Sequence, residues 1–269
     1  MLRSLNVFVS LALLLATAVG VSADEGLPRA HSHNDYYHAR PLFDALDQGF
    51  ASVEADVFLV DGQLLVGHDK PDLRPDRTLE ALYLKPLAEH VARNGGRVHP
   101  DLPTFMLLVD IKENGAAAYQ ALDALLERYA SMLVSVTDGK EQAGAVQVVV
   151  SGDRPWGSIS EDRVRYVGID GRVHDLTDPM RRDLQAHLMP LVSDNWFTHF
   201  DWTGNGPMPE DERAKLKQIV ADAHEQGRRV RFWATPENEA VWQELVEASV
   251  DHINTDQLQR LRRFLVDRE

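Results

Sequence analysis

Two acidic residues in the segment 52–69 have a spacing that suits a divalent-cation site. Glu54 and Asp56 lie two residues apart in an apolar run, and the Asp61-Gly62 turn that follows predicts a strand that doubles back. On a strand both carboxylates face the same side, where they repel each other and lose hydration if that face is buried. Ca²⁺ or Mg²⁺ removes both penalties because these ions prefer oxygen ligands. The alternative is an ordinary strand that carries two solvated acids.

Further polar residues stand where the other predicted strands end. Each one alone is explained as a cap, a turn residue or a solvated side chain, but they recur strand after strand. They are His31 and His33 after the first strand, His68 in the loop that returns from the second, Asp110 and Lys112 at the third, Asp153 and Arg154 after the fourth, and then Asp170, Asn195, Trp233 and Asp256. In a barrel of parallel strands all of them converge on one rim, where barrel active sites are built.

Eight predicted strands alternate with helices to position these residues. Strands are predicted at 27–30, in the run before Asp61, and at 105–111, 146–150, 165–169, 188–192, 229–233 and 252–254. Helices are predicted at 41–48, 78–94, 119–132, 210–226, 237–248 and 257–266.

Most of these strands are continuous apolar runs, which is typical of parallel strands covered on both faces. Eight such units in about 250 residues predict an α/β fold, a (β/α)8 TIM barrel, as a single domain. The competing open doubly wound sheet would need a glycine-rich phosphate turn after its first strand. The segment 31–35, His-Ser-His-Asn-Asp, is no such turn.

The first 23 residues have the composition of a secretory signal peptide. Arg3 supplies a positive start, 7–21 is an almost unbroken apolar run, and small residues precede a cleavage site after Ala23. We expect a signal peptide at 1–23, a domain at 24–269 and a secreted or periplasmic protein. A retained membrane anchor is the alternative.

The formal net charge of −14 becomes −15 without the signal peptide, because Arg3 is the only charged residue there. Such a charge argues against a nucleic-acid partner, which needs a basic footprint. It does not argue against a phosphate substrate, because a bound cation dominates its local field. The chain has no cysteine and therefore no disulfide framework. We expect no nucleic acid, no stable membrane anchor and a monomer.

Several of these motifs form a pattern that is shared with a known family. The pattern consists of Ala30-His31, Gly49-x-x-x-x-Glu54-x-Asp56, the Asp61-Gly62 turn and Val66-Gly-His68-Asp69. It resembles the glycerophosphodiester phosphodiesterase and phosphatidylinositol phospholipase C-like superfamily. The segments 31–36, 41–46 and 254–256 are similar to its branch that contains the yeast altered-inheritance-of-mitochondria protein 6. The resemblance extends over essentially the whole chain after the signal peptide.

This resemblance implies phosphodiester hydrolysis with a divalent cation, Ca²⁺ or Mg²⁺. His31 and His68 match the paired catalytic histidines, and Glu54 and Asp56 match two metal ligands. The family's third carboxylate lies in a Glu-x-Lys motif, which is Asp110-Ile-Lys112 here and resembles the sphingomyelinase D branch.

Two family elements that help to define the substrate differ in this chain. Ser32-His33 replaces the Arg-Gly after the first histidine, and 37–40, Tyr-His-Ala-Arg, replaces the Pro-Glu-Asn element. The reaction class is therefore better defined than the substrate.

Phosphodiester cleavage suits these residues independently of the family. One histidine deprotonates the nucleophile, which can be a neighbouring hydroxyl of the substrate so that a cyclic phosphate forms, and the other protonates the leaving group. Lys112 adds positive charge beside the non-bridging oxygens. The spacing to Glu54 does not decide between His31 and His33, but Ala30 precedes His31 as in the family pattern. We therefore predict His31 and His68 as the catalytic pair.

The remaining rim residues are predicted to bind the substrate, a small-molecule or lipid-derived phosphodiester. They are His33, Asn34, Lys112, Arg154 and Trp233. One alternative function is an amidohydrolase-type or histidinol-phosphatase-like metal hydrolase built on His31-x-His33 and Asp256, although such sites expect further histidines at later strand ends. Another is a barrel that binds a phosphorylated ligand without turnover.

Overall fold

Eight parallel strands close into a barrel in the computed structural model, which describes residues 25–267. The strands are β1 Leu27–Ser32, β2 Phe50–Val60, β3 Phe105–Ile111, β4 Val146–Gly152, β5 Val167–Gly171, β6 Leu191–Asn195, β7 Arg229–Trp233 and β8 His252–Thr255. Each strand pairs in parallel with its neighbour in sequence, and β1 also pairs with β8, which closes the ring. The predicted (β/α)8 barrel is confirmed. The predicted signal peptide 1–23 lies outside the described residues.

Successive residues of each strand face opposite sides of the barrel wall. On β3, Leu107 packs in the large core between strands and helices, whereas Leu108 belongs to a separate small cluster with Val149 and Leu191. Because side chains alternate along a strand, the small cluster lies inside the barrel. The same alternation turns Asp110 to the interior, nearer to the carboxyl end of the strand.

Helices cover the outside of the barrel. They are α1 Phe43–Asp47, α2 Lys85–Arg93, α3 Gly115–Glu127, α4 Trp156–Glu161, α5 Trp196–His199, α6 Glu210–Glu225, α7 Glu239–Glu247 and α8 Leu258–Val266. The apolar faces of these helices pack against the barrel. Examples are the fully buried side chains of Leu216 on α6, Trp242 on α7 and Leu261 on α8. Gly227 lies just after α6 with a φ of 70°, a conformation that favours glycine.

Four helical segments differ from the prediction. Helix α3 begins at Gly115 rather than at 119, because the Gly115 amide donates to an Asp153 carboxylate oxygen at 2.8 Å and so gains a partner at the helix start. The segment 78–94 divides into a π-helical turn, Glu80–Leu84, and α2. Pro86, the second residue of α2, has no amide hydrogen to continue a regular α-helical ladder across that junction. The short helices α4 and α5 were not predicted.

An antiparallel strand, Gln63–Val66, folds back on β2 through the Asp61-Gly62 turn. Asp61 and Gly62 have φ values of 48° and 78°, as a two-residue type I′ hairpin turn requires. This hairpin returns the chain to the rim at His68. The short strands Ser135–Thr137, Lys140–Gln142 and Val164–Arg165 form a separate sheet. Within 25–267, no helix is long and apolar enough to cross a membrane.

Candidate active site

The register between β2 and β3 brings three carboxylates together. Val53 and Ala55 pack in the core on the helix side, so Glu54 and Asp56 face the barrel interior. Asp56 stands directly beside Asp110 of β3. Ligand oxygens of Glu54, Asp56 and Asp110 all lie within 4.8 Å of one another. The structure therefore assembles the three predicted metal ligands, here called the acidic cluster.

Two cationic side chains balance the acidic cluster. Lys112 Nζ lies 2.7 Å from Asp56 Oδ2 and 3.1 Å from Asp110 Oδ1, and a guanidinium nitrogen of Arg231 lies 2.6 Å from Glu54 Oε2. Burial raises the pKa of Glu54, but Arg231 and the nearby His31 outweigh it and hold that pKa well below its usual range. Burial raises the pKa of Asp110 to about 6 despite Lys112, since the other two acids repel its charged form.

One buried oxygen of the acidic cluster has no hydrogen-bond partner within residues 25–267. Asp56 Oδ2 lies within hydrogen-bond distance of the Tyr36 hydroxyl and of His68 Nδ1, and it also contacts Lys112. Asp56 Oδ1 is buried and has no hydrogen-bond partner among the described residues. A divalent cation would satisfy this oxygen and relieve the repulsion that raises the pKa of Asp110. The residues therefore fit a Ca²⁺ or Mg²⁺ ion.

His68 is held at the edge of the acidic cluster by one ring nitrogen. Its Nδ1 lies 2.9 Å from Asp56 Oδ2, and 46% of its side chain is exposed. The Tyr36 hydroxyl lies 2.7 Å from the same carboxylate oxygen and 3.4 Å from His68 Nδ1. Because Nδ1 faces Asp56, Nε2 is the ring nitrogen that can exchange a proton with a ligand.

His31 lies within β1, not after it, and is fully buried. Its Nδ1 lies 2.7 Å from the Ser52 hydroxyl, and its Nε2 lies 3.5 Å from Glu54 Oε2. Burial, followed by repulsion from Arg231, lowers the pKa of His31 to about 4. His31 therefore contacts the acidic cluster from deeper inside the barrel, and none of its surface is accessible to a ligand.

His33 occupies the rim position above His31. Both side chains point inward because they are two residues apart, but 27% of the His33 side chain is exposed. Its Nδ1 lies 2.8 Å from Asp256 Oδ1, immediately after β8. The two histidines therefore contact different groups, and this arrangement does not favour the His-x-His metal site of an amidohydrolase-type enzyme.

The other predicted substrate-binding residues lie in different sectors of the rim. Asn34 Oδ1 is 2.8 Å from the Tyr36 hydroxyl, which places it beside the acidic cluster. Arg154 donates to the backbone carbonyls of Gly152 and Asp170 at the ends of β4 and β5. Trp233 ends β7 with 36% of its surface exposed. Within residues 25–267, neither Arg154 nor Trp233 makes a hydrogen bond or ion pair with the acidic cluster.

Two residues that shape the site were absent from the predicted set. Arg231 stands in the middle of β7 and is 2% exposed, and it donates to Asn254 as well as to Glu54. An arginine between the apolar residues Val230 and Phe232 of a predicted strand could have indicated an inward-facing cation. Tyr36 lies in the segment 31–36, but the sequence around a loop tyrosine does not indicate which group its hydroxyl contacts.

Two known protein families match parts of this chain. Residues 21–170 match the family described as the AIM6-like phosphodiesterase domain, and residues 229–259 match the glycerophosphoryl diester phosphodiesterase family. The chain is 28% identical to an altered inheritance of mitochondria protein 6 homolog from Arthroderma benhamiae, over 84% of this chain and 80% of that protein. It is also 28% identical to altered inheritance of mitochondria protein 6 from Lachancea thermotolerans, over 87% of this chain and 65% of that protein.

The fold is similar to that of two solved bacterial glycerophosphodiester phosphodiesterases. The enzyme from Agrobacterium tumefaciens superposes with a TM-score of 0.53 at 15% identity, over 88% of this chain and 99% of that one. The enzyme from Parabacteroides distasonis superposes with a TM-score of 0.54 at 14% identity, over 91% and 99%. These likenesses concern the barrel. The matched stretch 21–170 spans more than half of the 269 residues and includes the whole acidic cluster and His68, so the chain belongs to the AIM6-like phosphodiesterase family.

Proposed function

We propose that the protein is a metal-dependent phosphoric diester hydrolase that acts on a glycerophosphodiester or phospholipid-like substrate. The observation that carries the proposal is the acidic cluster at the barrel rim, with an unsatisfied Asp56 oxygen and His68 beside it. The family match supports the reaction class. A non-catalytic phosphate-binding barrel would not need a half-exposed histidine held by one nitrogen at the edge of a cation site.

Glu54, Asp56 and Asp110 would hold the divalent cation. The bound ion would supply positive charge for the phosphate oxygens as negative charge builds on them. Lys112 has three N–H donors, of which two face Asp56 and Asp110. The third can donate to a non-bridging oxygen of the substrate, which is the role predicted for this lysine.

We assign the acid–base pair to His33 and His68. The resemblance predicts His31 as the partner of His68, but its complete burial argues against contact with a substrate. His33 faces the rim, and its Nδ1 contact with Asp256 directs Nε2 away from that carboxylate. In this assignment His33 takes the proton of the attacking hydroxyl, and His68 gives a proton to the leaving oxygen as the phosphorus–oxygen bond breaks.

Two nucleophiles are compatible with this site. A substrate hydroxyl next to the phosphate would give a cyclic phosphate, and water would give direct hydrolysis.

We infer a secreted or periplasmic monomer that acts on a small-molecule or lipid-derived phosphodiester and binds no nucleic acid. The signal-like segment 1–23 and the negative net charge support this inference.

A phosphodiester panel tests the function directly. The purified protein is treated with EDTA, dialysed, and assayed against glycerophosphodiesters, lysophospholipids and a nitrophenyl phosphodiester, with and without added Mg²⁺ or Ca²⁺. We expect turnover of at least one class, its loss after EDTA and its recovery with one of the ions. Full activity in the presence of EDTA, or no turnover of any diester with either ion, contradicts the proposal.

A further inference from the structure

A cavity of about 550 Å³ lies beside His68, on the side of the site formed by the loops after β1 and after the β2 hairpin. Its lining includes His68 and Tyr37 together with two arginines, Arg74 and Arg77. His33 and the three carboxylates of the acidic cluster are not among the residues that line it. The cavity therefore extends the site on the His68 side, next to the proposed acid and away from the proposed base.

Arg77 lacks a carboxylate partner in this cavity. It is half-buried, and one guanidinium nitrogen donates to the Tyr36 carbonyl at 2.5 Å. Among the residues that the structure describes, no acid lies within ion-pair distance of it. A guanidinium has five N–H donors in a planar fork, so the donors that the Tyr36 carbonyl does not engage suit an incoming carboxylate or phosphate.

Arg74 adds a second positive charge that is only weakly engaged. Its sole ion pair within 25–267 is with Asp76 at 3.5 Å, and both side chains are about two-thirds exposed, with values of 66% and 71%. Such a pair contributes little and is easily exchanged for another anion. Asp72 is the acid that lines the cavity, so two arginines face one carboxylate there.

Tyr37 gives the same cavity an apolar wall. Its side chain is 64% exposed, and its ring lies 4.8 Å from that of Tyr36. An exposed aromatic ring next to guanidinium groups is suited to an organic group that carries a negative charge, rather than to a bare inorganic ion.

We propose that this cavity binds the leaving alcohol and selects one with an anionic group, a carboxylate or a phosphate, at a distance from the reacting oxygen. The inference rests on the proposed phosphodiesterase function. The phosphorus–oxygen bond to the alcohol breaks, the alcohol oxygen takes the proton from His68 Nε2, and the alcohol departs on the His68 side. Its distal charge is then held by Arg77 and Arg74. Since His68 is both the proposed acid and part of the lining, the leaving group and its proton donor share one compartment.

The test compares phosphodiesters that share a glycerol on the retained side and differ only in the leaving phenol. The phenols carry a para CH₂ group that ends in a carboxylate, a phosphonate, a carboxamide or a trimethylammonium, and the CH₂ group limits differences in the acidity of the leaving hydroxyl. We expect kcat/KM for the carboxylate or phosphonate to exceed that for the carboxamide by about 10-fold, as a charged hydrogen bond supplies. The trimethylammonium ester should be the poorest substrate.

Variants of the two arginines test whether they cause the preference for an anionic leaving group. Arg77→Gln and Arg74→Gln should each lower the ratio of kcat/KM between the anionic and the carboxamide ester, and the double variant should bring it near 1. The ratio is the readout because Arg77 also holds the Tyr36 carbonyl and its loss can slow all the esters. Arg163→Gln is the matched control, since Arg163 is 83% exposed and pairs with Asp138 in another part of the molecule. It should keep the wild-type ratio.

The outcomes separate the two proposals. Hydrolysis of all four esters with ratios near 1, or a preference that persists in both arginine variants, overturns the leaving-group assignment and leaves the phosphodiesterase function intact. If the Arg77 variant does not fold, the exposed Arg74 variant still decides, because it should lose part of the preference. No hydrolysis of any ester with either metal overturns the proposed function and this inference with it.

Discussion

Nδ1 of His33 lies 2.8 Å from Oδ1 of Asp256, across the seam where β1 pairs with β8 and closes the barrel. His31, two residues earlier on the same face, is fully buried and faces Ser52 instead. Two residues along the chain therefore separate a partly exposed histidine, which can contact a ligand, from a buried one, which cannot. The proposed assignment of His33, rather than His31, to acid–base catalysis rests on this difference in burial.

Replacing the histidines tests that assignment. His33→Ala and His68→Ala should each lower kcat by about 10²–10⁴-fold, the usual loss when a general acid or base is removed. The measurement is steady-state kinetics on the best diester of the panel, with circular dichroism to confirm folding. His174→Ala, at a histidine whose side chain is 70% exposed after β5, is the control and should stay active. If His33→Ala turns over normally while a folded His31→Ala is inactive, His31 is the acid–base partner after all.

Removing one acid of the cluster tests the cation site. Asp110→Asn should weaken metal binding and turnover together while the fold is kept, because the asparagine keeps the size but loses the charge. Thermal unfolding with and without Mg²⁺ or Ca²⁺ gives the binding readout. A ligand at 100 times its Kd stabilises the native state by about 2.7 kcal/mol, and the variant should lose most of that gain. An equal metal-induced shift in both proteins would place the ion elsewhere.

The buried pair of Arg231 and Glu54 should be important for stability. Arg231→Met leaves Glu54, whose side chain is 8% exposed, without its 2.6 Å partner. Breaking such a pair by removing one member costs about 3–5 kcal/mol in the free energy of unfolding. Arg163→Met breaks the exposed pair with Asp138 and should cost about 0–1 kcal/mol. Urea unfolding of both variants provides the comparison, and equal small losses would show that Glu54 needs no cation from β7.

His252 should make the stability depend on pH. Burial, then the nearby Arg229 and His31, lower the pKa of His252 well below its ordinary 6.5. Below about pH 6.5 the unfolded chain binds a proton at this residue that the native state refuses, so stability falls as the pH falls. His252→Gln should reduce that slope by about 1.4 kcal/mol per pH unit, the value for one proton. Urea midpoints between pH 5 and 7 measure it, and parallel curves for both proteins would contradict the expectation.

Export remains a prediction from the sequence. Cleavage after Ala23 should leave Asp24 as the first residue of the mature protein. Intact-mass spectrometry of periplasmic or secreted material checks the terminus. A chain that keeps Met1 in the soluble cytoplasmic fraction would contradict this prediction.

Local patterns in the sequence were sufficient for the barrel and for the acidic cluster. The continuous apolar runs predicted β3 and β7 with the bounds that the structure has, Phe105–Ile111 and Arg229–Trp233. Glu54 and Asp56 were expected on one face because side chains alternate along a strand, and the Asp61-Gly62 turn was expected to return the chain to His68. Each inference depends on neighbours within a few residues, where backbone geometry leaves few choices.

Only the tertiary structure decided which histidine reaches the rim and which cation supports Glu54. The register of the closed barrel sets His31 level with Ser52 and Asn254, below the height of the carboxylates, and this register depends on how eight separate strands are staggered. The same closure brings Arg231, far away in the chain, within 2.6 Å of Glu54. The depth of a side chain in the barrel and its contacts across the barrel depend on how the strands are staggered. The local sequence pattern of one strand does not determine its stagger relative to strands that are distant in sequence.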